Sequence, residues 1–259
     1  MSTPGAVRVY LRDWAWFKEV STAVGLASII QPMMFLLGVG LGIGALVDGG
    51  GQTEALGGNS YFAFYSSALL ATTAMFVLAG ESLWPTLDGF LWSKANYSMI
   101  STPLTPTDVL FGKALHFLVR GVIAVSGTAL VLLLFDDTRT WGLLPGIAAG
   151  VLCGMAFAMP LAAFTASQEQ DNAFPAIMRF GITPMFLFGG AFYPIDQLPD
   201  WLQPVAWITP LWHGVELSRG AVLGGLGFSM ALVHVGALLV FIVGGLLWAN
   251  RTFTRRLLV

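Results

Sequence analysis

The chain has 259 residues, of which 56% are hydrophobic and only 10% are charged. Because a water-soluble domain carries roughly 25% charged residues, this composition excludes a soluble globular protein. The 12 Lys and Arg residues against 14 Asp and Glu residues give a net charge of -2, so no basic excess indicates nucleic acid as a partner.

Residues 5–21 precede the first long apolar run and carry their own pattern. Charged residues fill one side of a helical wheel, and the apolar residues recur at three- and four-residue steps as Val7, Leu11, Trp14, Phe17 and Val20. The pattern predicts an amphipathic interfacial helix on the cytoplasmic face of the membrane. It serves equally well as an anchor or as part of a gate.

Six apolar runs are long enough to cross a bilayer core of about 30 Å, which needs roughly 20 helical residues. They cover residues 24–47, 61–83, 114–135, 143–165, 174–193 and 228–250. We therefore predict an all-α integral membrane protein with six transmembrane helices in a single transmembrane domain, 1–259. Small residues recur every fourth position in the fourth run and predict close helix packing there, at Gly142, Gly146, Gly150, Gly154, Ala158 and Ala162.

The segment 194–227 is apolar and rich in tryptophan, but prolines and charged residues interrupt it. This mixture predicts a re-entrant or interfacial helical hairpin on the extracellular side, before the last span, with a seventh span as the alternative. If residues 211–223 are helical, His213 and Glu216 share one face and Arg219 lies on its flank. These three residues are candidates for a gate or pathway, whereas the alternative is that a Glu216–Arg219 pair only fixes the hairpin.

The distribution of charge predicts the orientation of the chain. Two cations lie on one side of the predicted spans, Arg139 and Arg219, together with the acidic residues Asp48, Glu54, Asp136, Asp137, Asp196, Asp200 and Glu216. The other side carries Arg8, Arg12, Lys18, Lys94, Lys113, Arg251, Arg255 and Arg256. We predict a multi-pass protein of the cytoplasmic (plasma) membrane with both termini in the cytoplasm.

Motifs for catalysis are not found in the sequence. It contains no H-E-x-x-H pair, no G-x-S-x-G elbow and no G-x-x-x-x-G-K-[ST] loop. The lone Cys153 lies in an apolar run and is interpreted as a packing residue. We expect no enzyme activity and no cofactor on this chain, so any ATP and Mg would bind to a separate subunit.

Ionisable residues inside predicted spans are functional hypotheses by default. Glu81, Arg120 and Arg179 are therefore candidate gate or pathway residues. Alternatively, the two cations reach the headgroups, or they pair with Glu81, Glu169 or Asp171.

The segment 84–112 is a long cytoplasmic connection with helix-forming and turn-forming parts. Thr107 is expected to cap a helix whose first turn contains Asp108.

Residues 97–112, YSMISTPLTPTDVLFG, resemble the segment m-x-x-T-P-[LV]-x-x-x-[DE]-x-[LV]-x-G of permeases of ABC type-2 exporters. The nodulation-factor and daunorubicin-resistance branch is the most similar. Glu81, the GGAFYP stretch 189–194 and the TPLWH stretch 209–213 fit the same pattern, and the resemblance covers essentially the whole chain.

The resemblance implies a permease subunit that pairs with a second permease, a copy or a paralogue, and with ABC nucleotide-binding subunits. It implies export of an amphipathic or lipid-linked substrate: a drug, glycolipid or lipooligosaccharide. It also implies a coupling loop to the ATPase subunit, carried by Tyr97, Met99, Thr102, Pro103, Leu104 and Asp108. A secondary transporter, for which we find no internal repeat, and a membrane-bound enzyme or non-catalytic scaffold are the alternatives.

Overall fold

The computed structural model describes residues 4–50 and 56–258, apart from the side chains of 20–25, 27 and 28. Glu54, one of the predicted outer acidic residues, lies outside this range. All regular structure within the described residues is helical. The helices are α1 Gly5–Phe35, α2 Gly44–Gly49, α3 Tyr61–Asp88, α4 Ala95–Ile100, α5 Pro106–Leu132, α6 Leu143–Ala166, α7 Phe174–Ala176, α8 Thr183–Phe188, α9 Gln203–Ile208, α10 Pro210–Leu223 and α11 Phe228–Leu258. Two π-helical segments, Leu36–Ile43 and Ile177–Ile182, join α1 to α2 and α7 to α8.

Five helical segments among the described residues are long and apolar enough to cross a membrane. They are Ile29–Gly49, Tyr61–Asp88, Pro106–Leu132, Leu143–Ala166 and Phe228–Leu258. The predicted all-helical membrane architecture is thereby confirmed.

The remaining predicted span, 174–193, forms the shorter apolar helix Phe174–Phe188. At about 1.5 Å per residue it measures roughly 22 Å, less than a bilayer core. It ends because Gly190 takes φ 82, a left-handed conformation that glycine adopts without strain. Residues 174–192 nevertheless run alongside most of α3. Phe174 packs with Leu87 near the end of α3, and the ring of Phe192 stacks 5.3 Å from that of Tyr65 near its start. The count of six spans stays a prediction.

The helix α3 forms the centre of the bundle. It packs against α5, α6 and α10. In its most apolar stretch 83% of the residues are buried, compared with 17% in that of α11. The glycines of α6 allow this approach: a Cβ on Gly150 would lie 2.7 Å from the backbone oxygen of Leu70. The predicted close packing of the small-residue stripe is confirmed.

The N-terminal segment does not form a helix of its own. Because the backbone stays helical through residue 21, α1 is one helix from Gly5 to Phe35. It lies alongside α5 in the same direction, with Val9 next to Gly112 and Phe17 next to His116. The buried face consists of Val9, Asp13 and Phe17, whereas Leu11 of the predicted apolar face is 52% exposed. A position of residues 5–21 along the membrane surface stays a prediction.

Both described ends of the chain lie at the same end of the bundle as the segment 84–112. Near the N-terminus, Gly5 contacts Asp108 at the start of α5. Near the C-terminus, Asn250 Oδ1 lies 3.3 Å from Thr107 Oγ1, and Arg256 Nη1 donates to the Gln168 carbonyl at 2.6 Å. The first and last described residues are therefore on one side of the bundle, as an even number of crossings requires.

The interrupted segment 194–227 folds into short helices. A 3-10 turn, Ile195–Gln197, precedes α9 and α10, and α10 packs onto α3 and α6. At the start of α10, Thr209 Oγ1 accepts from the backbone N–H of Trp212 at 3.4 Å. The expectation that 211–223 is helical is confirmed. A re-entrant position in a membrane stays a prediction.

Candidate functional site

The predicted coupling loop, residues 84–112 (the coupling segment), runs from the end of α3 through α4 to the start of α5. Lys94 has φ 52, an uncommon left-handed conformation for a residue with a side chain, and it immediately precedes α4. The backbone N–H of Asn96 donates to the Gly89 carbonyl at 2.9 Å, and the Asn96 side chain is fully buried. The hydrogen bond closes the first half of the segment on itself.

The start of α5 is fixed by a capping box. Thr105 Oγ1 accepts from the backbone N–H of Asp108 at 3.1 Å, and an Asp108 carboxylate oxygen accepts from the Thr105 N–H at 2.9 Å. Pro106 occupies the first turn, where its missing N–H costs nothing. The expected cap at Thr107 is therefore wrong: the cap lies two residues earlier, because Asp108 is correctly spaced to close the box with Thr105.

The motif residues differ in exposure. Tyr97, Met99 and Leu104 are half-buried and pack against a cluster that contains Phe90 and Phe253. Thr102 and Pro103 are exposed. Thr102 and Pro103 form the tip of the segment, where their side chains are open to contact from outside the chain.

A partly buried ion pair joins α3 to α5 near the coupling segment. Arg120 Nη2 lies 2.7 Å from Glu81 Oε1, and its Nε donates to the same oxygen at 2.8 Å. Arg120 is 4% exposed and lies 4.5 Å from the ring of Phe17. Glu81 was one of the partners considered from the sequence, and this pairing is confirmed. His116 Nε2 is 3.9 Å from Glu81 Oε2.

A second buried pair, not predicted from the sequence, fastens α1 to α5. Lys113 Nζ lies 2.9 Å from Asp13 Oδ2, and Arg12 donates to Asp13 Oδ1 at 2.8 Å. Burial raises the pKa of Asp13, but the combined effect of Lys113 and Arg12 lowers it by more than burial raises it. The pKa therefore lies below its usual value. Asp13 is thus ionised at neutral pH. Its spacing of four residues from both Val9 and Phe17 was the available signal.

Arg179 is not part of either cluster. It lies on the π-helical segment, its side chain is exposed, and it forms no ion pair with any residue in 4–50 or 56–258. The expected alternatives Glu169 and Asp171 do not pair with it.

At the opposite end of the bundle, Arg219 connects three elements. Its Nη1 lies 2.8 Å from Glu216 Oε1, and its Nη2 donates to the Gly190 carbonyl at 2.6 Å. Its guanidinium lies 3.7 Å from the centre of the Phe64 ring. The expected Glu216–Arg219 pair is confirmed. His213 instead contacts His234 of α11, which the sequence did not indicate.

None of these three clusters has the composition of a metal centre. Over the residues whose placement is described, no group of three or more His, Cys, Asp and Glu side chains could hold a metal ion. The ion pairs of these clusters hold neighbouring helices together.

Comparison with known proteins gives one consistent result. The family described as ABC-2 type transporter matches residues 9–223. Nodulation protein J of Rhizobium leguminosarum bv. viciae is 29% identical over 250 residues, which cover 96% of this chain and 94% of that protein. Nodulation protein J of Sinorhizobium fredii is 30% identical over 254 residues, with 97% and 94% covered. That of Azorhizobium caulinodans is 26% identical over 226 residues, with 87% and 84% covered.

Proposed function

We propose that this chain, which belongs to the ABC-2 type transporter family as a membrane permease subunit of an ABC exporter, moves an amphipathic or lipid-linked molecule out across the cytoplasmic membrane. The substrate classes are a hydrophobic drug, a glycolipid or a lipooligosaccharide. The near full-length similarity to several nodulation proteins J is the observation that carries the proposal.

The energy comes from a separate subunit. ATP and Mg bind to an ABC nucleotide-binding subunit, and this permease contacts that subunit through the coupling segment, 84–112. Two features support this position: the exposed tip at Thr102 and Pro103, and the rigid attachment of the segment to α5 through the capping box. The end of the bundle that carries this segment and both termini faces the cytoplasm, since its cations outnumber those of the other end.

The pathway lies between this chain and a second permease, a copy or a paralogue. The first and last spans support this arrangement. Only 22% and 17% of the residues in their most apolar stretches are buried within the chain, so their outer faces are free to contact a second subunit. In this arrangement the Glu81–Arg120 pair gates the cytoplasmic end, while His213, Glu216 and Arg219 gate the outer end. Arg179, with its free exposed side chain, faces the pathway or the membrane lipids.

The test is a purification of the complex followed by a transport assay. The permease is expressed together with an ATPase subunit encoded by a neighbouring reading frame that contains a Walker A loop, and the ATPase carries the affinity tag. We expect the permease to co-purify, lipids or drugs retained by it to be identified by mass spectrometry, and the same molecules to enter inside-out vesicles when ATP is added.

The control is the same ATPase with its Walker A lysine changed to alanine, which should assemble but not transport. A permease that purifies without any ATPase, and whose transport follows the proton gradient rather than ATP, would instead be a secondary transporter.

A further inference from the structure

A cavity of about 310 Å³ lies between α1, the end of α3 and the start of α5, next to the coupling segment. Its volume is at the lower end of the range for small-molecule pockets, about 300–1,000 Å³. Residues that line it include Trp16, Trp84, Trp92, Asp88, Lys113 and His116. The cavity thus combines large aromatic rings with charged groups in one concave surface.

The aromatic part of the cavity is open to the outside. Trp16 and Trp92 are 57% and 60% exposed, and each lines the cavity from a different segment. An indole has a broad apolar face and a single N–H donor, so it can stack against a ring and still hydrogen-bond. Two exposed tryptophans at one cavity provide flat surfaces for a ring-shaped ligand.

The polar part of the cavity has charges of both signs, with three acidic and two basic residues in its lining, and one hydrogen-bonding atom without a partner in the described part of the chain. Asp13 is paired with Lys113, and Glu81 is paired with Arg120. His116 is 7% exposed and lines the cavity, yet its Nδ1 has no hydrogen-bond partner among the described residues. This atom is itself buried, so the cavity offers a ligand the charged groups and the indole rings rather than the Nδ1 of His116.

The mixture of charges in the lining selects the chemistry of the ligand. An anionic phosphate would meet the carboxylates of Glu81 and Asp88, and an ammonium group would meet Arg12 and Lys113. A neutral group with several hydroxyls can donate to the carboxylates and accept from the cations at the same time. It can also place a sugar ring on an indole.

We propose that this cavity binds the uncharged, hydroxyl-rich headgroup of a glycolipid at the cytoplasmic end of the permease. The assignment rests on the proposed function, since it identifies where that substrate is first held. The lining includes Gly89, Trp92 and Ser93 of the coupling segment. A bound headgroup therefore contacts the same segment through which the ATPase acts.

The test uses the full-length permease alone in lipid nanodiscs, without ATPase or ATP. The discs contain equal amounts of monoglucosyl diacylglycerol, phosphatidylglycerol and phosphatidylcholine, and the lipids retained on the protein are counted by native mass spectrometry. We expect enrichment of the glucosyl lipid, and we expect Trp16→Ala combined with Trp92→Ala to reduce it about tenfold, equivalent to about 1.4 kcal/mol.

The matched control is Trp141→Ala combined with Trp201→Ala, since these residues are 88% and 74% exposed and do not line the cavity. It should retain the glucosyl lipid. The proposal is overturned if phosphatidylglycerol or phosphatidylcholine is preferred, if the control loses as much as the cavity variant, or if the cavity variant loses all three lipids alike, as membrane anchors would. ATP-driven export can persist in each of these cases, so the two proposals fail separately.

Discussion

The Nδ1 atoms of His213 and His234 lie 2.8 Å apart, in a contact that joins α10 to α11. Both residues are buried, at 9% and 2% exposure, and the ring of Trp212 lies against them, 4.8 Å from that of His213 and 5.0 Å from that of His234. At this separation one Nδ1 donates its proton and the other accepts it. The last span is thereby fastened to the interrupted segment by a hydrogen bond with little access to water.

A double-mutant cycle tests this hydrogen bond. Changing either histidine alone to leucine leaves the other imidazole buried with an unsatisfied nitrogen, which should cost about 1–3 kcal/mol. Changing both should cost much less than the sum of the single changes, because no polar atom is then left unpaired. Thermal unfolding in detergent measures all three variants. Additive losses would show that the two rings do not interact.

The sequence predicted those features that depend on one element at a time. The spans follow from apolar length, the α6 stripe from its four-residue repeat, and the Glu216–Arg219 pair from helical spacing. The features it did not predict depend on which helix faces which. Asp13 shares its helical face with Val9 and Phe17, but its partner Lys113 belongs to α5, and nothing within residues 5–21 identifies that partner.

Two further differences have local causes. The N-cap of α5 is Thr105 rather than the predicted Thr107. Both threonines lie close to Asp108 in the sequence, and only the geometry of the capping box shows which of them caps the helix. The helix of the fifth apolar run stops at Phe188, although apolar residues continue, because the glycines that follow leave the helix. Apolar length alone does not reveal where a backbone turns.

Cysteine labelling tests the orientation of the chain. In a Cys153→Ala background, single cysteines at Pro4 and Leu258 should react with an impermeant reagent only after the membrane is opened. A cysteine at Asp136, whose side chain is 91% exposed, should react in intact cells. A cysteine at Thr138 in the same loop would be a poor probe, because that position is fully buried. Ser2 and Val259, the terminal positions that the topology also suggests for labelling, lie outside the described residues. Labelling of Pro4 or Leu258 in intact cells would reverse the predicted orientation.

The tip of the coupling segment should be needed for energy transfer but not for folding. Pro103→Asp adds a charge to an exposed position, so the permease should insert normally. At a packed contact with the ATPase the same charge should cost several kcal/mol and reduce transport and substrate-stimulated ATP hydrolysis.

The control for this prediction is Asn172→Asp, which adds the same charge to an exposed loop at the same end of the bundle. Tyr97→Asp is not a clean probe, because Tyr97 packs edge-on against Phe90 and its loss should lower expression. Full transport by the Pro103 variant would remove the tip from the interface.

The contact of α6 with α3 should not tolerate even one added methyl group. Gly150→Ala brings its Cβ to 2.7 Å from a backbone oxygen, which cannot turn away as a side chain can. We expect a loss of about 1–3 kcal/mol in thermal stability. Gly236→Ala in α11 meets no atom within 4 Å and should be neutral or slightly stabilising, since alanine favours the helix. Equal effects at both positions would contradict the packing.

The last prediction separates fixing from gating at the outer end. Arg219 holds α10 to the turn at Gly190 and to Phe64, in addition to Glu216. Arg219→Gln removes all three contacts that the guanidinium makes, and it should lower the free energy of unfolding by roughly 2–3 kcal/mol. Glu216→Gln keeps an oxygen that can accept from Arg219, and the Glu216 side chain is 31% exposed, so the loss should be at most about 1 kcal/mol.

Arg139→Gln is the matched control, because Arg139 and Asp136 form the same three-residue spacing with both side chains exposed. It should leave unfolding in detergent nearly unchanged. If Arg219 mainly fixes the segment, its variant loses stability and export together, while the Glu216 variant keeps both. If Glu216 is part of the gate, its variant changes export while its unfolding temperature stays near that of the unaltered chain. Equal losses of stability in the two variants would show that the pair itself holds the segment, since the carbonyl of Gly190 and the ring of Phe64 would then contribute nothing that Glu216 does not.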